Sequence, residues 1–253
     1  MGWTETRSDS FTARHESEDA ESVERLLDAL EAFRHELSDR FEHAPGELAL
    51  VVHSRPAALD LAQPWLPLAR RFAAPAARRY MVGWFSMTEI HVLAPRALER
   101  RASAVAGSIE ALRLAPLHEL AHVFVGLNNT TLPPPFTPRS FRSYVRSAWL
   151  CEGAATHFAG QTSYLRAAIT RRLHEGRKPE FPPAPRDAQL LGGTVFGLLY
   201  EGAGAAACTE LATTPVDGER ATAAAALERA FARPRAEIER DWRSFLTRLT
   251  AAG

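Results

Sequence analysis

The stretch His118-Glu119-Leu120-Ala121-His122 organises the sequence around it. On a helix of about 3.6 residues per turn, residues four apart lie on one face, so both imidazoles can reach a single divalent metal. Glu119 lies beside that metal but is not needed to bind it, and its carboxylate is left free to take a proton from a water. Residues 115–129 contain no other Asp, Glu, Lys or Arg, and this apolar setting predicts a buried helix under a reactive site.

A third metal ligand is predicted in the segment Trp149-Leu150-Cys151-Glu152-Gly153-Ala154-Ala155. Catalytic zinc sites take three ligands from protein and keep the fourth position for water, so two histidines leave one ligand to find. Glu152 and Cys151 are the candidates, and neighbours on a helix point about 100° apart, so both cannot face the metal. Glu152 is favoured because water-activating sites more often use a carboxylate, and Cys151 is then interpreted as a small buried apolar residue.

Residues 118–122 and the Trp-Leu-x-Glu-Gly-x-Ala segment at 149–155 together resemble the gluzincin metallopeptidases, the group that includes thermolysin and the aminopeptidase N-like enzymes. The resemblance implies that His118, His122 and Glu152 bind one Zn²⁺ ion and that Glu119 is the general base. It also implies hydrolysis of peptide bonds in peptide or protein substrates. It extends over most of residues 10–250 and is closest at the two zinc motifs.

The C-terminal part of the chain resembles the same families more loosely. After the glutamate segment those families have a tyrosine-bearing helix, and they close on an acidic-Trp-Arg helix such as Asp241-Trp242-Arg243. In them a tyrosine hydroxyl reaches the oxyanion of the tetrahedral intermediate, and Tyr200 is the tyrosine best placed for that role. The alternative interpretation is that Tyr200 is a core tyrosine at an interface.

Two features depart from the pattern of the resembling enzymes. Four residues after the ligand glutamate, thermolysin-like enzymes have an aspartate that supports a ligand histidine, whereas this chain has Thr156. A hydroxyl orients an imidazole more weakly, so the support of the histidine is expected to be weaker. Residues 127–146 are rich in proline and predict an unusually long loop. This loop either forms a wall of the substrate site that contributes to specificity or has no role in the site.

The predicted fold class is α+β, and the resemblance implies a thermolysin-like catalytic fold. Residues 1–9 are expected to be a flexible tail and residues 10–253 a single domain. An N-terminal lobe over 10–126 is expected to hold a small mixed or antiparallel sheet and the histidine-bearing helix. A helical lobe is expected over 127–253, with the cleft between the two.

Local patterns place the elements of the N-terminal lobe. Apolar residues at spacings of three and four predict an amphipathic helix over 21–41. In gluzincins the strand before the active-site helix is a sheet edge that pairs with extended substrate, and the resemblance implies this role for residues 89–93. Short strands are predicted at 10–15, 48–52, 80–85 and 88–93.

Composition limits the classes of function. The chain has 253 residues, of which 46% are hydrophobic, enough for a full core. Its formal net charge of zero argues against nucleic-acid or membrane-surface binding, which would require a basic excess. The sequence has no uninterrupted run of 18 apolar residues, so no membrane span is predicted. The first residues are polar and do not resemble a secretory signal, so a cytoplasmic protein is expected. The oligomeric state is left open.

Two other functions compete with peptide hydrolysis. The first is a non-catalytic, metal-dependent binding or sensor protein that keeps the gluzincin fold, which the altered residue at Thr156 permits. The second is a fold stabilised by a purely structural zinc. This second alternative is the weaker one, because structural sites are usually closed by four protein ligands and have no use for Glu119.

Overall fold

Five strands form one mixed sheet in the N-terminal half of the chain. They are β1 (Trp3–Arg7), β2 (Phe11–Glu16), β3 (Leu48–His53), β4 (Gly83–Phe85) and β5 (Glu89–Leu93). The computed structural model of the chain describes residues 2–216 and 222–251. The strand order is β1-β2-β3-β5-β4, in which the three central strands are parallel and each edge strand is antiparallel to its neighbour. The predicted α+β class is confirmed, with a mixed sheet.

Helices make up most of the remaining structure. They are α1 (Ala20–Ser38), α2 (Pro56–Ala62), α3 (Trp65–Phe72), α4 (Pro95–Arg101), α5 (Ser108–Arg113), α6 (Ala115–Asn128), α7 (Pro138–Arg146), α8 (Ala148–Phe158), α9 (Arg166–His174), α10 (Ala188–Thr213), α11 (Ala223–Phe231) and α12 (Arg235–Ala251). The stretch 127–146 is therefore only partly a loop. The Thr137 side chain accepts a hydrogen bond from Ser140 N and begins α7, with Pro138 in the first turn.

One face of the sheet is covered by α1 and α6. Alternate residues of the central strands point to this face and are buried: Phe11, Ala13, Leu48, Leu50, Val52, Ile90 and Val92. The amphipathic helix predicted over 21–41 is confirmed as α1, which buries Val23, Leu27, Leu30, Phe33 and Leu37. α6 lies against β4 and β5 and also contacts α1. The histidine-bearing helix is thus packed against the sheet and beside α1.

The N-terminal residues form an edge strand, so the predicted flexible tail is wrong for residues 3–7. β1 pairs with β2 along its whole length, from Trp3 opposite Glu16 to Arg7 opposite Thr12. Its side chains are exposed or half-buried on both faces. Such a strand lacks the alternation of apolar and polar residues that marks a half-buried strand, so its sequence is indistinguishable from a polar tail. Met1 lies outside the described residues.

The edge of the sheet beside α6 is β4, which corrects the expectation that residues 89–93 are the edge. β5 pairs with β3 on one side and with β4 on the other, so it is an interior strand. The chain turns back after β4, where Ser86 N donates to Glu89 O at 2.8 Å. This tight connection places β4 at the edge of the sheet and β5 next to it in the interior.

The glutamate-bearing helix α8 packs closely against α10. A Cβ atom on Gly153 would lie 2.6 Å from the backbone carbon of Gly192, and one on Gly192 would lie 2.6 Å from Trp149 O. These distances are shorter than van der Waals contact, so the two backbones touch. The small residues after Glu152 thus allow two helices to approach closely.

One segment of the described residues, Pro185–Thr213, is long and apolar enough to cross a membrane when judged by length and composition alone. It contains α10, which is kinked at Gly204. Leu191, Val195 and Phe196 of this helix are fully buried within the protein. Core helices of globular proteins meet the same criteria, so the segment is weak evidence for a membrane span.

Candidate metal centre

The helix α6 carries both histidines of the pentad and is buried over most of its length. Pro116 lies in its first turn, where the missing N–H is not needed. The helix continues to Asn128, two residues past Gly126. A Cβ atom on Gly126 would overlap Pro134, so this glycine allows the proline-rich segment to approach the helix.

Three potential ligand atoms meet at one point between α6 and α8. His118 Nε2 and His122 Nε2 are 3.0 Å apart. Glu152 Oε2 lies 3.4 Å from His118 Nε2, and Glu152 Oε1 lies 3.7 Å from His122 Nε2. Two ligands bound at about 2.0–2.1 Å in a tetrahedral arrangement are roughly 3.3 Å apart, so these spacings fit one small divalent ion. The structure thus brings together the three residues predicted as ligands, and they could hold a metal ion.

The ionisation of these groups also suits a metal. Burial acts to raise the pKa of Glu152, but the charge of His122 and hydrogen bonds from both histidines outweigh it and hold the pKa well below its usual range. Burial lowers the pKa of His122. For His118 burial also acts to lower the pKa, but the hydrogen bond with Glu152 and the charge of Glu119 raise it. An ionised carboxylate and neutral imidazoles are the forms that bind metal, so the low pKa of Glu152 and the lowered pKa of His122 favour binding, whereas the raised pKa of His118 opposes it.

Glu119 lies beside the three ligands but is not one of them. It is 7% exposed, and burial raises its pKa to about 8, with the charge of Glu152 adding to the shift and that of His118 opposing it. A Cβ atom on Gly83 would overlap Glu119 Oε1, so the backbone of the edge strand β4 lies against this carboxylate. Within the described residues Glu119 has no hydrogen-bond partner, which leaves its carboxylate free for a proton transfer.

His122 is enclosed by an aromatic ring and a thiol. The Phe85 ring stacks on its imidazole with a centroid distance of 4.2 Å. Cys151 Sγ lies 3.4 Å from His122 Nδ1, the ring nitrogen that does not face Glu152. Cys151 is fully buried, as predicted, and it is not among the ligand atoms that converge. Its thiol therefore contacts the outer side of a ligand, a role that the sequence interpretation as an apolar residue did not include.

The outer ring nitrogen of His118 has no hydrogen-bond partner among the described residues. His118 Nδ1 and Gln161 Oε1 are both buried outside standard hydrogen-bond geometry with any described residue, yet Gln161 is among the groups that raise the pKa of His118. Gln161 Nε2 donates to Ala111 O at 2.8 Å, which turns the amide oxygen away from that carbonyl. The Thr156 hydroxyl is buried and has no hydrogen-bond partner in the described part of the chain, so it orients neither His118 nor His122.

The tyrosine that reaches the centre is Tyr144, not Tyr200. Tyr144 Oη donates to Glu152 Oε1 at 2.7 Å, and burial raises the pKa of this phenol well above its usual value. Tyr200 is 53% exposed, with its ring next to His157, and it contacts none of the three ligands. Sequence reasoning missed Tyr144 because the proline-rich stretch was assigned to a loop. The Thr137-Pro138 start and the spacing of Phe141, Tyr144 and Val145 are the signals that predict α7.

Aromatic residues line one side of the centre. Phe136 packs against Trp84 at 5.3 Å and against Phe85 at 5.2 Å between ring centroids. The segment between α6 and α7 thus lies against the edge strand, next to His122. This contact favours the first alternative, a wall beside the site, for the part of residues 127–146 that contains Phe136.

Comparisons with known proteins add no family assignment. No protein-family model matches the chain, and neither the curated proteins nor the solved structures include a significant match. The resemblance to gluzincins therefore rests on the pentad and on the glutamate segment, and it stays a prediction.

Proposed function

We propose that this chain is a zinc-dependent peptidase. The observation that carries the proposal is the convergence of His118 Nε2, His122 Nε2 and the Glu152 carboxylate on one point, with Glu119 buried beside them and unpaired. Three protein ligands leave the fourth position of a tetrahedral zinc open, which distinguishes catalytic from structural sites. A purely structural zinc would not need the unpaired carboxylate.

The chemistry divides between the metal and the protein. Zinc in such a site lowers the pKa of a water molecule and polarises a carbonyl oxygen. Glu119 takes the proton that the water loses as its oxygen forms a bond to the carbonyl carbon of the substrate. Glu119 then gives this proton to the amide nitrogen as the carbon–nitrogen bond breaks, so that an amine and a carboxylic acid leave.

The edge strand supports an extended peptide as the substrate. β4 is unpaired on its outer side within the described residues, and Gly83 of this strand lies against Glu119. Backbone N–H and C=O groups of such an edge can pair with a peptide, which would then run past the proposed base. Phe136 and Trp84 provide aromatic surface next to that path.

The test compares wild type with Glu119→Gln at equal zinc loading, on a mixed peptide pool read by mass spectrometry. The amide is nearly isosteric but cannot carry the proton, so cleavage should fall by about 10²–10⁴-fold. Glu110→Gln is the matched control, because it makes the same change at an exposed position nine residues earlier. Equal cleavage by wild type and Glu119→Gln would contradict the assignment.

The second candidate is a non-catalytic, metal-dependent binding protein. It is favoured by His118 Nδ1, which has no hydrogen-bond partner among the described residues, whereas a ligand histidine usually donates its outer N–H to a carboxylate, carbonyl or water. This protein would cleave no member of the peptide pool, and its zinc-dependent affinity for a ligand would be little changed by Glu119→Gln. The same peptide-pool experiment therefore separates the two functions.

A further inference from the structure

A second polar site lies away from the metal centre. Residues before β4, at the end of α4 and along α9 surround a cavity of about 400 Å³. None of the three ligand residues, nor Glu119, lines it. Four of its lining residues are arginines: Arg78, Arg79, Arg101 and Arg171. A cavity of this size can enclose a small molecule or the charged group of a larger one.

Three of these arginines are held by backbone carbonyl groups rather than by carboxylates. Arg101 Nε donates to Arg79 O at 2.7 Å, and Arg101 Nη2 donates to Arg78 O at 3.0 Å. Arg79 donates back to Arg101 O, and Arg78 Nε donates to Ala73 O at 3.1 Å. Within the described residues, none of the three forms an ion pair. Carbonyl groups fix the guanidinium groups in place but leave their charges uncompensated.

The positive charges are close enough to affect one another. Burial lowers the pKa of Arg101, and the charges of Arg70 and Arg79 lower it further, with only Asp60 opposing them. Asp60 itself is paired with Arg70 at 2.6 Å. At the cavity the one paired arginine is Arg171, which contacts Glu175 at 2.5 Å. A concave surface with an excess of one charge concentrates ions of the opposite charge.

We infer that this arginine cavity binds a phosphate group, either as inorganic phosphate or as the phosphate of a small monoester. A guanidinium has five N–H donors in a planar fork that matches the oxygens of phosphate. Arg101 and Arg79 each use only part of their donors on carbonyl groups, so donors remain for a ligand. A phosphate dianion can compensate the charges of two guanidinium groups. Chloride carries a single negative charge and has no oxygen atoms to accept directed hydrogen bonds.

The binding test uses the full chain and isothermal titration calorimetry with inorganic phosphate, and then with glycerol phosphate. Sodium chloride at equal ionic strength is the reference for non-specific screening. We expect saturable binding of phosphate and none of chloride. Glycerol phosphate that binds at least as tightly as phosphate identifies a monoester site, and weaker binding identifies a site for the free anion. No saturable heat with either phosphate compound would overturn the inference.

Variants locate the binding. Arg79→Gln and Arg101→Gln each remove one charge while keeping an amide donor, and either should raise the Kd for phosphate by about 10-fold or more. Arg100→Gln is the matched control, because Arg100 is exposed on the same helix and does not line the cavity. If Arg101→Gln does not fold, Arg79→Gln still tests the site.

The result is independent of the proposed peptidase activity. Phosphate bound by zinc at the metal centre would be insensitive to both cavity variants, and so would phosphate bound elsewhere on the surface. An unchanged Kd in Arg79→Gln and Arg101→Gln, or an equal loss in Arg100→Gln, would therefore refute the arginine cavity.

Discussion

His118 and His122 belong to one pentad, but their surroundings differ. His122 lies between the Phe85 ring and the Cys151 thiol, whereas His118 Nδ1 is buried with no hydrogen-bond partner among the described residues. The partner of the outer ring nitrogen fixes the tautomer and orientation of a ligand histidine, so each contact matters for metal affinity. The two ligand imidazoles are therefore not equivalent.

The first prediction concerns the ligand set. The purified protein should bind about one equivalent of zinc, and His122→Ala or Glu152→Ala should weaken binding by more than about 100-fold, since changes outside the ligand set alone cost 10–100-fold. Cys151→Ala is the control, because its thiol contacts His122 from outside and should leave the stoichiometry at one. Zinc content by mass spectrometry is the measurement. Loss of zinc in Cys151→Ala with full occupancy in Glu152→Ala would show that the thiol is the ligand.

The second prediction separates the two tyrosines. Tyr144→Phe removes the hydroxyl that orients the Glu152 carboxylate, so zinc affinity should fall by about 10–100-fold. Tyr200→Phe removes a hydroxyl that touches no ligand, so zinc affinity and turnover should both stay unchanged. Chelator competition measures the affinity. A fall in kcat of about 10²-fold in Tyr200→Phe at full zinc loading would instead support the oxyanion role that the resemblance of the chain to gluzincins implies for Tyr200.

At the scale of elements, the centre depends on the packing of three helices. α6 presents both histidines, α8 presents Glu152 across from them, and α10 supports α8 from behind. The contact between α8 and α10 is made by Gly153 and Gly192 without intervening side chains. The position of Glu152 is thus set by backbone contact, which cannot yield as a flexible side chain can.

The third prediction tests that helix contact. Gly153→Ala places a Cβ atom 2.6 Å from the Gly192 backbone, and the overpacking should destabilise the protein by about 1–3 kcal/mol and lower the melting temperature by several degrees. Gly202→Ala is the control, since a Cβ atom there meets nothing within 4 Å and alanine favours a helix. Thermal unfolding followed by circular dichroism is the measurement. Equal melting temperatures for Gly153→Ala and wild type would argue against close backbone contact.

At the scale of the whole molecule, the two metal motifs come from different halves of the chain. α6 ends the part that contains the sheet, and α8 belongs to the helical part, so a bound ion would link the two. The far face of the sheet carries a second histidine pair, in which His53 Nε2 and His91 Nδ1 are 3.0 Å apart. This pair lies on the neighbouring parallel strands β3 and β5.

The fourth prediction follows from that pair. Burial, and then the charge of His91, lower the pKa of His53 to about 4, below the value of 6.5 for an unperturbed histidine. Between these two values the unfolded chain binds more protons than the folded one, so stability should fall as the pH drops from about 6.5 to 4, by up to roughly 1 kcal/mol per pH unit. Urea unfolding in chelator, which removes metal effects, measures the slope.

Controls for the fourth prediction use two histidines. His53→Gln should reduce the slope of stability against pH in that window, because no buried imidazole remains at that position to resist protonation. His35→Gln changes an exposed histidine on α1 and should leave the slope as it is in wild type. Identical slopes in His53→Gln and wild type would show that His53 does not control the acid response.

The sequence by itself predicted the three side chains that converge, the position of Glu119 beside them and the amphipathic helix α1, because each depends on spacing within one helix or on a short motif. The tertiary structure decided which residues surround them. Tyr144, Gln161, Phe85 and Gly83 come from separate elements, and only packing brings them to the centre. β1 and the edge position of β4 were also decided by pairing between strands, which polar or very short segments do not reveal in their own residues.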